Sequence, residues 1–273
     1  MRKFLALIVT LLFVVHARAA AVSVPAKLRD AVPIVEVRIN GSGPLWFALD
    51  TGSSRMLIDA SLVDTLGLTR GTPDSIHGAG AGAVPVTRIA GEVSFTIGTL
   101  TSRGHELSAV DLSRIGLRDR LDGILGYDFL RRHVITIDYA RGQVTIDPDA
   151  IPRGSREVPI RIDGKWPFVT GTLLQARRTP IHDTFLIDTG SGDAVDHPRA
   201  LGRPTSVGHG LGEPVPGRVG NANFELAGFL VENVAVASGS RSELGQRLIG
   251  GGLLSHFVVT FDYAKSKMYL LRR

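Results

Sequence analysis

The chain carries Asp-Thr-Gly-Ser twice, at Asp50–Ser53 and at Asp188–Ser191. Each follows an apolar run, Trp46-Phe47-Ala48-Leu49 in the first case and Phe185-Leu186-Ile187 in the second. One Asp-Thr-Gly is a weak signal, because Asp and Gly favour turns and a loop after a strand explains it. Two in matched settings make a candidate acid/base pair. Carboxyl groups held a few Å apart cannot both ionise cheaply, so such a pair keeps one shared proton over a range of pH. One member can then serve as base and the other as acid, with no covalent intermediate and no metal.

The matched settings extend further along the chain. Ile124-Leu125-Gly126 opens a stretch that ends at Ile146, and Leu248-Ile249-Gly250 opens another that ends at Leu270. The two align without a gap and share Leu130/Leu254, Val134/Val258, Thr136/Thr260 and the run Asp-Tyr-Ala at 138–140 and 262–264. A glycine-rich piece lies between the landmarks of each half, around Gly78-Ala79-Gly80-Ala81-Gly82 and around Gly210. The chain is therefore an internal repeat. Asp147-Pro148-Asp149 and Ile151-Pro152-Arg153-Gly154 break helix and strand patterns between the copies. The expected division is residues 22–150 and residues 151–273.

Strand patterns must position these motifs. Ile34–Ile39 alternates and is β-branched before an Asn40-Gly41 turn; Val93–Ile97 alternates up to Gly98. Val134–Ile137 turns at Arg141-Gly142 into Val144–Ile146, and Val258–Phe261 turns near Lys265-Ser266 into Met268–Leu270. Helix is scarce; Asp59 is a candidate cap for a short one through Leu66. The expected class is all-β.

Composition removes several other chemistries. With 273 residues, 44% hydrophobic and 21% charged, the chain is globular in composition. It has no cysteine, which excludes disulfides, thiolate metal sites and cysteine nucleophiles. Aromatics at 6% and scattered Lys and Arg give no nucleic-acid platform. No His-Glu-x-x-His or comparable set offers a metal site, and no cofactor is expected. Arg2 and Lys3, an apolar run from Phe4 to Val15 and small residues up to Ala21 read as a signal peptide over residues 1–21, cut after Ala19 or Ala21. Arg2, Lys3 and Arg18 carry three of the five net positive charges, so the mature chain is nearly neutral. The expectation is an exported protein, periplasmic or secreted, with no membrane anchor after cleavage.

Over nearly the whole mature chain, the Asp-Thr-Gly-Ser copies and the landmarks ending at Gly126 and Gly250 resemble the aspartic peptidases, the pepsin and retropepsin group. The resemblance implies a bilobal fold of two retropepsin-like β-barrel lobes with the active site between them. Asp50 and Asp188 would be the catalytic pair of an endopeptidase, activating a water that attacks a peptide bond. Two motifs in one chain imply a monomeric enzyme acting on peptide or protein substrates. Thr51 and Thr189 would bond across to the opposite loop, Gly52 and Gly190 would permit the tight turn, and the Ser53 and Ser191 hydroxyls would bond the carboxylates and extend activity into acid. Gly78, Ala79, Gly80, Ala81 and Gly82 would be a flap over the substrate, retroviral rather than pepsin-like since no tyrosine lies between Thr51 and Leu125. Gly210 would mark the corresponding hairpin of the second lobe, and His77 and His209 would lie near substrate. A peptide-binding protein on the same scaffold is the rival reading; it explains neither the second carboxyl nor the repeated serine.

Overall fold

The computed structural model describes residues 20–77, 83–114, 121–207, 215–239 and 247–273. The expected signal segment up to residue 19 and the glycine-rich segments at 78–82 and 208–214 lie outside the described residues.

Both halves deliver their Asp in the same way. The strands Val32–Ile39 and Ser42–Leu49 form a hairpin through Asn40-Gly41, and the second strand ends beside Asp50. Its counterpart is Trp166–Leu174 with Ile181–Asp188. The landmark tripeptides then thread in as short strands. Gly123–Leu125 runs parallel to Ser42–Leu49 and antiparallel to Met56–Asp59. Leu248–Gly250 lies in the same way between Ile181–Asp188 and Val195–Asp196. Strands enclosed on both sides must be apolar on both faces, which is why Ile-Leu and Leu-Ile precede each glycine. These strands hold the loops from behind: the Asp50 amide donates to Leu125 (3.0 Å), Tyr127 to Ser53 (2.9 Å) and Gly251 to Ser191 (2.7 Å).

The halves meet in a shared sheet. Phe257–Asp262 pairs antiparallel with Ile135–Asp138, so the matching strands of the two repeats lie side by side. Thr136 faces Thr260, with 2.8 Å between their buried hydroxyls. Seven of the described phenylalanines are fully buried and anchor the interior, among them Phe47 and Phe95 of the first half and Phe185 and Phe224 of the second. A smaller apolar cluster, including Leu57, Val84, Val86 and Ile124, lies apart from that core and belongs wholly to the first half.

Sequence and structure agree on the strands but differ over the helix after Asp59. That residue caps only the 3-10 turn Ala60–Leu62, its carboxylate accepting from the Ser61 amide at 2.9 Å. Gly67 at φ 62° then reverses the chain. Asp138 and Asp262, repeated but expected to be turn residues, accept the amides of Arg141 and Lys265 at 3.0 and 3.1 Å.

Candidate active site

Asp50 and Asp188 stand half-buried at the ends of equivalent strands, their carboxyls within hydrogen-bond reach of each other. Each is held by its own loop. Asp50 Oδ1 accepts from the amides of Gly52 (2.8 Å) and Ser53 (3.0 Å), and Asp188 Oδ1 from Gly190 (2.9 Å) and Ser191 (3.1 Å). Burial raises both carboxyls above the ordinary Asp range, and for Asp188 the charge of Asp50 adds to it. The backbone amides pull the other way, because they favour the charged form. The outcome is a pair that retains a proton where isolated carboxyls would have lost theirs.

The glycines do more than turn the chain. A Cβ on Gly52 would stand 2.5 Å from Asp188 Cγ, and one on Gly190 would collide with the carboxyl of Asp50. Each glycine is thus the space into which the opposite carboxyl fits. Beneath them the fully buried threonines lock the loops together. Thr51 Oγ1 donates to the Ile187 carbonyl (2.6 Å) and accepts from the Thr189 amide (3.0 Å); Thr189 Oγ1 donates to Leu49 (2.7 Å) and accepts from Thr51 (3.0 Å). All the polar atoms involved are satisfied, as burial demands.

The serines differ from expectation. The Ser53 hydroxyl donates to the Arg55 carbonyl at 2.8 Å, and the Ser191 hydroxyl accepts from the Asp193 amide at 3.2 Å. It is their backbone amides, not their hydroxyls, that bond the carboxylates. These hydroxyls, bonded within their own loops, do not lower the carboxyls and give no ground for activity extending into acid.

Strand pairs lead into the two glycine-rich segments expected to be a flap and its counterpart. Thr69–His77 pairs antiparallel with Ala83–Ala90, and Arg203–Val207 with Val215–Leu226. Gly78, Ala79, Gly80, Ala81, Gly82, Gly210 and His209 themselves lie outside the described residues. His77 ends the first arm, exposed. Arg55, just past the Asp50 loop, reaches that arm through a 2.8 Å ion pair with Asp74. The Ser75 amide and then the Arg55 guanidinium hold the Asp74 carboxyl down at about 2.

Residues 35–129 match the family model described as aspartyl protease. The crystal structure of aspartic proteinase from Irpex lacteus superposes with a TM-score of 0.62 at 16% identity, over 93% of this chain and 97% of that one. The chain therefore has the fold of that aspartic proteinase. No curated protein sequence matches it.

Several supports of this paired-carboxyl site cross between lobes and were not legible in the sequence. Trp166 Nε1 donates to the Gly52 carbonyl at 3.0 Å, bracing the first loop from the second lobe. In the reverse direction the hairpin tip at Asp30-Ala31 packs against Gly192 and Gly251. Both tip residues take positive φ, 47° and 61°, a conformation unfavourable for residues with a Cβ. The repeated Asp-Tyr-Ala also contributes its tyrosines. Tyr139 and Tyr263 are buried with hydroxyls that find no protein partner, and burial pushes both upward. Tyr139 feels the charge of Asp188, and Tyr263 that of Asp50 foremost. The repeat was a signal for them, but nothing in it told which side chain faced the site.

Trp166→Phe tests the cross-lobe brace. It keeps the ring and removes one bond worth about 1 kcal/mol. The expected result is a Tm lowered by roughly 2–4 °C and a fall in kcat/KM, read by thermal unfolding and steady-state cleavage. Other acids near the landmarks hold structure instead. Asp122 accepts the Trp46 amide at 2.8 Å, Asp128 pairs with Arg131 at 2.8 Å, and Asp183 with Arg247 at 2.8 Å. No group of three or more His, Asp or Glu suited to a metal ion occurs among the described residues.

Proposed function

We propose that the protein is an aspartic endopeptidase in which Asp50 and Asp188 hold a water between them and hydrolyse peptide bonds. The observation that carries this reading is the mutual fit of two raised carboxyls, each seated over the opposite lobe's glycine and held by its own loop's amides. A shared proton gives the pair both functions at once. The ionised carboxyl draws a proton from the water, and the protonated one donates to the carbonyl oxygen of the scissile bond. Water attacks the carbonyl carbon to give a tetrahedral diol, and the amine leaves after a second proton transfer. Thr51 and Thr189 fix the separation of the two loops, which sets the geometry of attack.

The lobes are residues 22–150 and 151–273 in this reading, and the substrate is a peptide or an unfolded protein. The basic start, apolar run and small residues at 1–21 support export to a periplasm or beyond, with the mature chain acting as a monomer. No helix among the described residues is long and apolar enough to cross a membrane. The test is cleavage of a mixed peptide library by the mature chain from acid to neutral pH. Expected is cleavage that disappears with Asp50→Asn. Equal cleavage by that variant would exclude the pair, and a folded chain that binds peptides without cutting them would favour the binding-protein reading.

A further inference from the structure

The two lobes differ at one place where their internal symmetry predicts the same. In the first lobe Leu57 pairs with Ile124 and is buried in the small apolar cluster with Val84 and Val86 of the adjoining hairpin arm. In the second lobe the corresponding partner of Leu248 is Asp196. No equivalent apolar cluster fills that lobe among the described residues. A cavity of about 920 Å³ occurs there instead. It runs from Asp196 to Ile181, at the end of the strand Ile181–Asp188 remote from the catalytic carboxyl. Its Ile181 end lies seven residues of strand, roughly 23 Å, from Asp188, while Asp196 stands level with Leu186 through their shared partner Leu248.

The walls of this cavity are cationic. Arg178, Arg199 and Arg218 line it, and none of the three makes an ion pair among the described residues. Arg218 is held on the wall by donating to the Gly202 carbonyl at 3.0 Å. Asp196 is the sole carboxyl in the lining, and its Oδ1 is buried without a partner. Burial, with the charge of Asp193 behind it, pushes this carboxyl up to about 8. The raised carboxyl favours its protonated form, a hydrogen-bond donor that does not cancel the arginines. A buried polar atom left unpaired is costly. Leucine at the matching position shows that the fold itself does not require it.

We propose that this cavity binds the carboxylate side chains of an acidic segment of the peptide substrate, with Arg178, Arg199 and Arg218 supplying charge and Asp196 a hydrogen bond. Guanidinium and carboxylate pair through two parallel bonds, and a cavity that leads away from the dyad toward Ile181 would hold substrate beyond the residues being cleaved. As a substrate anchor it rests on the peptidase reading. Binding is measured on a chain that cannot cut, so the two proposals fail separately.

The experiment titrates a hexaglutamate peptide carrying an uncharged dye against the Asp50→Asn chain by fluorescence anisotropy. Adding Arg178→Ala and Arg218→Ala together is expected to weaken binding at least ~10-fold. Asp196→Leu, which copies the first lobe, should weaken it also, whereas Asp196→Asn keeps a donor and should retain affinity at neutral pH. Binding to the Asp196-containing chain should weaken as pH rises through 8, because the carboxyl then ionises against the ligand and adds to Asp193. The Asn variant should lose that dependence while the arginines stay charged, and it serves as the test if the Leu variant fails to fold. Affinity unchanged by the arginine substitutions, or a pH dependence that persists in Asp196→Asn, would overturn the proposal. Tighter binding of free glutarate than of the peptide would overturn the peptide as occupant.

Discussion

Asp188→Asn is expected to lower cleavage by at least about a thousandfold while raising thermal stability at neutral pH. Both follow from one arrangement. The amide keeps the shape of the side chain but can neither carry the shared proton nor develop the charge that activates water. It also removes a carboxyl whose ionisation the folded state opposes through burial and the charge of Asp50. A folded pKa raised above the unfolded value means that the native state binds more protons. The resulting destabilisation is absent below about pH 3.8, where both states are protonated, and grows as pH climbs through that value toward the folded pKa. The variant's advantage in Tm should accordingly vanish near pH 3 and be greatest at neutral pH. Each kcal/mol relieved corresponds to roughly 2–4 °C in a chain of this size. Paired unfolding scans at pH 3 and pH 7 check it; a variant less stable than the parent at neutral pH would contradict the raised carboxyl.

Gly52→Ala should also abolish most activity, with the opposite effect on stability. The added methyl would stand 2.5–2.7 Å from the Asp188 carboxyl, too close for any ordinary contact. Asp188 cannot turn aside freely, since the Gly190 and Ser191 amides hold Oδ1 at 2.9 and 3.1 Å. The loop carrying Gly52 is equally fixed, between the threonine bonds below and the Trp166 bond to its carbonyl. Relief therefore comes from prising the lobes apart at the dyad. The expected cost is about 1–3 kcal/mol of stability and at least ~100-fold in cleavage, since a displacement near 1 Å suffices for that. Thermal unfolding separates the two variants: both are nearly inactive, but one melts higher than the parent at neutral pH and the other lower.

The parts of this site that could be read from residues alone were those written twice. Asp50 and Asp188, the threonines, and the landmarks ending at Gly126 and Gly250 repeat in order, and repetition separates them from ordinary turn chemistry. Alternation of apolar residues located the strands for the same local reason. What escaped was set by contacts and rotamers that no residue pattern records, one of them between residues more than a hundred positions apart. Trp166 looks like any strand aromatic until its indole N–H meets Gly52. Ser53 and Ser191 occur where a hydroxyl could serve the carboxylate, yet rotation about one bond sends each to its own loop. Asp196 gave no sign either, because it is an unrepeated acid, and only strand pairing reveals that it stands in for a leucine.

The central pairing of Ile135–Asp138 with Phe257–Asp262, Thr136 opposite Thr260, has a consequence for how such a chain can change. Two identical halves assembled around that axis would be bound by self-complementarity: any new side chain would appear on both sides and have to be tolerated twice. A covalent link lifts that restriction. One half may then keep Tyr127 where the other has Gly251, or place an ionisable group where its twin keeps an apolar one. Trp166 and the arginine-lined cavity belong to this unmirrored set. Joining the halves thus preserves a symmetric reaction centre while leaving their peripheries free to specialise independently.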